Sequence, residues 1–385
     1  MSPETSRCAD AWRFRFAIVG GIAVVALFFG GGIHQEKVFV SYLFGWFFWF
    51  GLSIACALIV MIHHLTGGRW GTPVRRFLEG GAGTLPVMAL LFAPILFGIR
   101  ELYPWASKVV DAELHKKAVY LNPPFFIVRT FVYFAIWSAF ALKLRSASIA
   151  QDDTRGAEPS RRLLKLSGVG VVVVPLLATF AYVDWIMSLE PKWHSTVFPL
   201  TLLAGQMLSG FCFVVIALVL FGNNEDIPRI ANEKRFRELG NLILTFVLFW
   251  AYLAFSQLLI IYSANKPNEI GWYLARIHGA WKVLIVLVAA LSFLIPFLLL
   301  LFRGFKKNAT SLGALAGLLL CAQLLYSYWV IKPAFPGVRF GWMDVVAPIA
   351  LGAIWLAVFL SVVKRSPLVP VNDARMQEEM AYVED

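Results

Sequence analysis

Ten apolar runs constrain this chain more than anything else in it. They fall at about residues 14–31, 38–62, 81–99, 125–143, 163–187, 196–221, 240–262, 279–302, 310–331 and 343–363. A run of about 18 or more apolar residues can cross the hydrocarbon of a bilayer as a helix. Backbone groups in hydrocarbon must satisfy one another, which leaves helices as the spanning element. The pattern therefore predicts an all-α polytopic membrane protein with ten transmembrane helices. Composition agrees, since 15% of the residues are charged, against about 25% in soluble domains. Arg13 and Arg15 ahead of the first run resemble the start of a signal peptide. That run is long and lacks a small-residue cleavage pattern, so it reads as a retained helix.

The net charge of +11 is not spread evenly. Of the Lys and Arg residues in or beside the connections, 22 belong to the N-terminus, the tail and the connections around 63–80, 143–165, 222–239 and 303–309. Only ten belong to the alternate connections. Basic residues accumulate on the cytoplasmic side, so both termini are expected there. The basic excess thus reads as topology in a lipid membrane, and no nucleic-acid partner is expected.

Cys8, Cys56, Cys212 and Cys321 form no C-x-x-C, haem-attachment or ferredoxin-like pattern. The six histidines are His34, His63, His64, His115, His194 and His278, and none sits mid-helix opposite another as a haem b would need. No metal-ligand spacing is present, so no metal or bound redox cofactor is expected in this chain.

No connection is long enough for a soluble domain. The longest runs from Arg100 to about Pro124, with an interfacial helix expected over 104–118. A faint internal repeat is visible. Tyr182-Val183-Asp184-Trp185-Ile186 and Tyr326-Ser327-Tyr328-Trp329-Val330 stand four helices apart, as do Arg129 and Lys282, and Gly45 and Gly205. This organises the chain as residues 1–37 with helix 1, a first four-helix bundle over 38–187 (helices 2–5) and a second over 188–332 (helices 6–9). Helix 10 and an acidic cytoplasmic tail follow over 333–385.

Ionisable residues within membrane spans mark sites by default. Arg129, Asp184, Lys282, Gln323, Tyr326, Tyr328 and Asp344 all fall toward the extracytoplasmic ends of their helices, whereas the inner halves look poor in such groups. Snorkelling and aromatic belts serve both faces, so the asymmetry points to an outward polar half-site. A quinone site needs an apolar slot plus one or two groups that hydrogen-bond the ring oxygens and exchange protons. Asp184 and His194 are the first candidates, with Tyr182 and Arg129 supporting, and Lys282, Tyr326 and Tyr328 as the outer counterparts in the second half.

Four stretches carry a family resemblance: "HHLTGGRWGTPVRRFLEG" (63–80), "NPPFFIVRTFVYFAIW" (122–137), "DWIMSLEPKWHSTVF" (184–198) and "ARIHGAWKVLIVLVAALSFLIPFLLLL" (275–301). They resemble the second NrfD-like membrane subunit of alternative complex III, the ActF type, over about residues 15–365. The resemblance implies an integral subunit of a bacterial respiratory quinol:cytochrome c (or other acceptor) oxidoreductase in the cytoplasmic membrane. It implies two four-helix bundles, at helices 2–5 and 6–9. It also implies partners: a multihaem cytochrome c, an iron–sulfur protein and a second NrfD-like subunit. Quinone or menaquinone would be a transient ligand. A self-contained proton-coupled transporter, or an NrfD-like anchor of a molybdopterin reductase, are the alternatives.

Overall fold

The computed structural model describes residues 3–31, 35–107, 114, 116–153, 157–222 and 231–368. Among these the protein is all-helical, with no strand and ten helices long and apolar enough to span a membrane. They are α1 (Pro3–Gly31), α2 (Gln35–Thr66), α3 (Arg75–Phe97), α4 (Pro123–Asp153), α5 (Ala157–Trp185), α6 (Phe198–Phe221), α7 (Glu233–Ala264), α8 (Ala280–Leu301), α9 (Ala309–Ile331) and α10 (Met343–Val363).

Local chemistry sets several of their ends. α2 stops at Gly67, whose positive φ (66°) suits a helix C-terminus and whose N–H donates to the His63 carbonyl at 2.9 Å. Asn232 caps α7 by accepting from the Lys234 and Arg235 amides, and Asn308 caps α9 by accepting from Ser311. Pro199 occupies the first turn of α6, where its missing N–H costs nothing. Pro296 lies just beyond a five-residue π-helical stretch, Ala290–Leu294, inside α8. A ring that cannot donate an N–H and crowds the preceding turn accounts for the widened helix there.

α2 and α6 form the centre: 94% of the apolar window of α2 and 89% of that of α6 are buried. Helices that are apolar all round belong in a core. α2 packs on α3, α5, α6 and α10, and α6 packs on α2, α5, α7 and α9. α1 lies outermost, seated mainly on α10. Close approach of α2 and α10 depends on Gly45, where a Cβ would lie 2.8 Å from the Pro348 nitrogen.

The helices present two faces. One carries residues 98–107, 116–122, 186–197, 265–279 and 332–342, and is called the hairpin face. The other, the basic face, carries residues 67–74, 222, 231–232 and 302–308. The ends of α1 and α10 meet on the basic face, where Lys364 pairs with Asp10.

One expectation is corrected here, and another falls partly outside the described residues. The third span was expected from residue 81, yet its helix begins at Arg75 and buries Arg75, Arg76 and Glu79. Their charges read as surface in the sequence but satisfy one another inside the protein. Of the interfacial helix expected over 104–118, Pro104–Ala106 is a single 3-10 turn, and residues 108–113 and 115 lie outside the described residues.

Candidate functional site: a polar hairpin face over buried ion pairs

Asp184 sits in the last turn of α5, fully buried. Arg129, in the second turn of α4, meets it edge-on: Nε donates to Oδ2 at 2.8 Å and Nη2 to Oδ1 at 3.0 Å. This fork geometry is the strong form of an arginine–carboxylate pair. The Tyr133 hydroxyl donates to Oδ2 at 2.9 Å. Arg129 also donates through Nη1 to the Tyr120 carbonyl at 2.9 Å, and its guanidinium lies 3.9 Å from the Tyr120 ring and 4.3 Å from Phe125. Burial, then the Asp184 carboxylate, push the Tyr120 phenol up to about 12. These contacts fix the side chain of Asp184 between α4 and α5.

Five more residues of the D-W-I-M-S-L-E-P-K-W block are tied down by specific contacts. Trp185 donates to Thr130 Oγ1 at 3.1 Å, and its carbonyl accepts from the Tyr103 hydroxyl at 3.0 Å. Six rings surround its indole with centroids 5.0–6.1 Å away: Trp46, Phe50, Phe92, Tyr133, Phe134 and Trp137. Ser188 donates to the Asp184 carbonyl and accepts from Trp105 at 3.1 Å. Glu190 pairs with Arg276, the Pro191 carbonyl accepts from Lys117 at 2.6 Å, and Trp193 stacks on Trp272 at 4.6 Å. The block is a clamp that joins α5 to residues beyond α7.

Arg276 is the group that sequence reasoning missed, because it sits in a connection and was counted as a surface charge. It is 1% exposed. It donates to the carbonyls of Trp272 at 3.0 Å and Val330 at 2.9 Å, lies 3.9 Å from the Trp272 ring, and accepts at its own carbonyl from Trp329 at 3.1 Å. Burial pulls its guanidinium below the ordinary value, and Glu190 opposes that. Its only sequence signal is an arginine between aromatic residues, Trp272-Tyr273-x-x-Arg276. A third pair closes the face: Lys332 Nζ donates to Asp344 at 2.5 Å, and Ser41 donates to the same carboxylate at 2.6 Å.

The predicted site residues do not form one cluster. Arg129 and Asp184 are brought together. Tyr182 is buried nearby but donates to Gln206 of α6. Tyr328 packs on Phe44, Trp281 and Phe340, with Lys332 5.6 Å from its ring. Tyr326 packs on Trp250 and Trp329 and lines a cavity between α7 and α8. His194 and Lys282 are exposed and join none of these groups.

The half toward the basic face, expected from the sequence to be poor in ionisable groups, is not. On the basic face Glu79 accepts from Arg75 Nε at 2.9 Å, from Arg76 Nη1 at 2.7 Å and from Ser148 at 2.5 Å. Arg75 also donates to Ser148 and Gln151, both at 2.8 Å, while Arg76 reaches Asp152. His64 and Ser167 lie 3.0 Å apart beside them. Between the two faces, Ser53 and Thr84 share a 2.6 Å hydrogen bond, and Trp355 donates to Ser53 at 2.8 Å. Among the described residues, no group of three or more His, Cys, Asp or Glu side chains is placed to hold a metal ion. No family model matches the chain, and no curated protein matches it.

Proposed function

We propose that this chain is a membrane subunit of a bacterial respiratory quinol:cytochrome c (or other acceptor) oxidoreductase of the alternative complex III type. In that role it supports quinol oxidation by handling protons, while multihaem cytochrome c and iron–sulfur partners carry the electrons. Its two four-helix bundles would be α2–α5 and α6–α9, with α1 and α10 outside and both termini cytoplasmic. The resemblance of the Asp184–Phe198 block supports the family, and the Lys and Arg bias supports the orientation.

One observation carries the proton role. Two buried ionic clusters stand at opposite ends of α4: Arg129–Asp184–Tyr133 with α5 at the hairpin face, and Arg75–Arg76–Glu79 of α3 against Ser148 at the basic face. Arg129 and Ser148 bracket them on α4, and a rise of 1.5 Å per residue separates these by about 28 Å. Ionised groups this deep in a membrane protein are expensive and tend to mark proton or ion pathways. Tyr182–Gln206 and Ser53–Thr84 add hydroxyl and amide groups between the two ends. A proton released at the hairpin face would first meet the Asp184 carboxylate, and one taken from the other side would first meet Glu79 or His64. The clusters sit at the helix ends and not at the midplane, where transporters usually place substrate sites.

Affinity purification of the tagged chain from its native membrane tests the assignment. Co-elution of a multihaem cytochrome and an iron–sulfur protein is expected. A chain that elutes without redox partners fails the assignment, and one that elutes with a molybdopterin protein belongs to a different reductase. Within an assembled complex, Asp184→Asn and Glu79→Gln are expected to lower quinol oxidation or its proton release by about 100-fold, the lower end of what a positioned proton-transfer group contributes. Wild-type turnover and proton release in both variants would remove the proton role.

A further inference from the structure

α7 and α8 pack together along Ala290–Leu301 but splay apart over Ala280–Ala289, toward the hairpin face. The gap is a cavity of about 550 Å³ that reaches inward to α9 and the Pro267–Leu274 helix. This volume is typical of small-ligand sites. Its mouth lies between exposed apolar side chains of α7, Tyr252, Phe255 and Leu258 among them, so it opens sideways at the depth of the lipid. Flat rings form its walls: Trp250, Trp272, Phe293, Tyr326 and Trp329.

One buried polar atom at its inner wall lacks a partner. Gln257 is 5% exposed; its Nε2 donates to the Tyr273 hydroxyl at 3.2 Å, and its Oε1 has none. Tyr326 lines the same cavity. Buried polar atoms are nearly always paired, and an exception calls for a ligand or a water. A water would satisfy Oε1 but would leave the apolar, ring-walled remainder of the cavity empty.

We infer that the α7–α8 cavity binds the ring of a membrane-dissolved quinol or quinone, with its oxygens at Gln257 and Tyr326 and its tail leaving between α7 and α8. The geometry asks for a flat ring that bears hydroxyl or carbonyl oxygens and an apolar tail; that the ring is a respiratory quinol rests on the proposed function. A quinol hydroxyl donates to Gln257 Oε1. For the quinone, the amide turns over: Oε1 accepts from Tyr273, and Nε2 faces a ring carbonyl. The Tyr326 hydroxyl donates to the second oxygen, or to the same one, in either state. Both oxidation states thus find partners with the same three side chains. The site lies in the second half of the chain, away from Asp184.

Photolabelling of the full chain in its native membrane with an azido-quinone, followed by peptide mapping, tests this. The expected labels fall on α7 and α9, and excess unlabelled quinone should displace them. Gln257→Leu and Tyr326→Phe should each weaken competition by about fivefold, the loss of one hydrogen bond. Ala289→Phe should block labelling by filling the gap, and Phe131→Leu, on the exposed face of α4, should leave it intact. Labels elsewhere, equal displacement by phosphatidylglycerol, or unchanged competition in both polar variants would overturn the inference. Labelling as expected in a chain that purifies without redox partners would sink the respiratory assignment alone. Co-purification without labelling would sink the pocket alone.

Discussion

Trp185 and Trp329 hold the same place in a short pattern that recurs along the chain, and their surroundings differ. Trp185 is enclosed by six rings, and the residue before it, Asp184, is locked to Arg129. Trp329 meets two rings, Trp272 and Tyr326, and the residue before it is Tyr328. Beside Trp329 lies the cavity. Filling a space with rings and charge pairs makes a rigid corner, whereas leaving it unfilled makes a place for something that comes and goes. One motif position has been used for each.

A wide split between the halves is expected from their arginines. Arg129→Ala strands a carboxylate that water cannot reach, and should destabilise the protein by about 3–5 kcal/mol. Arg276→Leu strands Glu190, whose side chain is 28% exposed, and should cost about 1–3 kcal/mol. Denaturant unfolding in detergent compares them, and equal losses would mean that the exposure of the carboxylate does not govern the penalty.

Packing should separate the halves next. Phe134→Ala removes a ring stacked on Trp185 and should cost about 3–5 kcal/mol. Ala289→Leu adds bulk beside the cavity and should stay within about 1 kcal/mol of the parent, because unoccupied space receives it. A loss at position 289 as large as at 134 would show that the gap is closed in the membrane.

The smallest difference is in alkali. Burial raises the phenols of Tyr120 in the first half and Tyr273 in the second to about 12, from an ordinary value near 10. In each case the folded state holds a proton that the unfolded state has lost between those values. Stability is therefore complete below about pH 10 and declines as pH rises toward 12. Tyr120→Phe and Tyr273→Phe should flatten this decline to a similar extent in unfolding titrations, and an unchanged slope in either would place that phenol in water.

Much of this was legible in the sequence, and the rest was hidden for physical reasons. The ten helices show as apolar runs because hydrocarbon tolerates little else. Arg129 and Asp184 stand out singly as charges in greasy surroundings, but they are 55 residues apart and only folding discloses that they pair. The stretch around Arg75 and Glu79 was misread because charges that neutralise one another inside look the same in sequence as charges on a surface. The pattern that matched Lys282 to Arg129 passed over Arg276, six residues earlier, because an arginine's burial depends on what covers it. The cavity has no local signature, since it arises from a divergence of two helices.

That divergence has a structural companion in the π-helical stretch of α8. Such a stretch holds about one residue more than the same length of regular helix, and one residue is about 100° of turn. The segment after it, which closes on α7, is therefore out of phase with the segment before it, which borders the gap. α8 behaves as two helices spliced end to end with an angular offset. Removal of a single residue from Ala290–Leu294 would restore the phase and swing Ile285 and Ala289 away from the gap, with the contacts nearer the basic face unchanged.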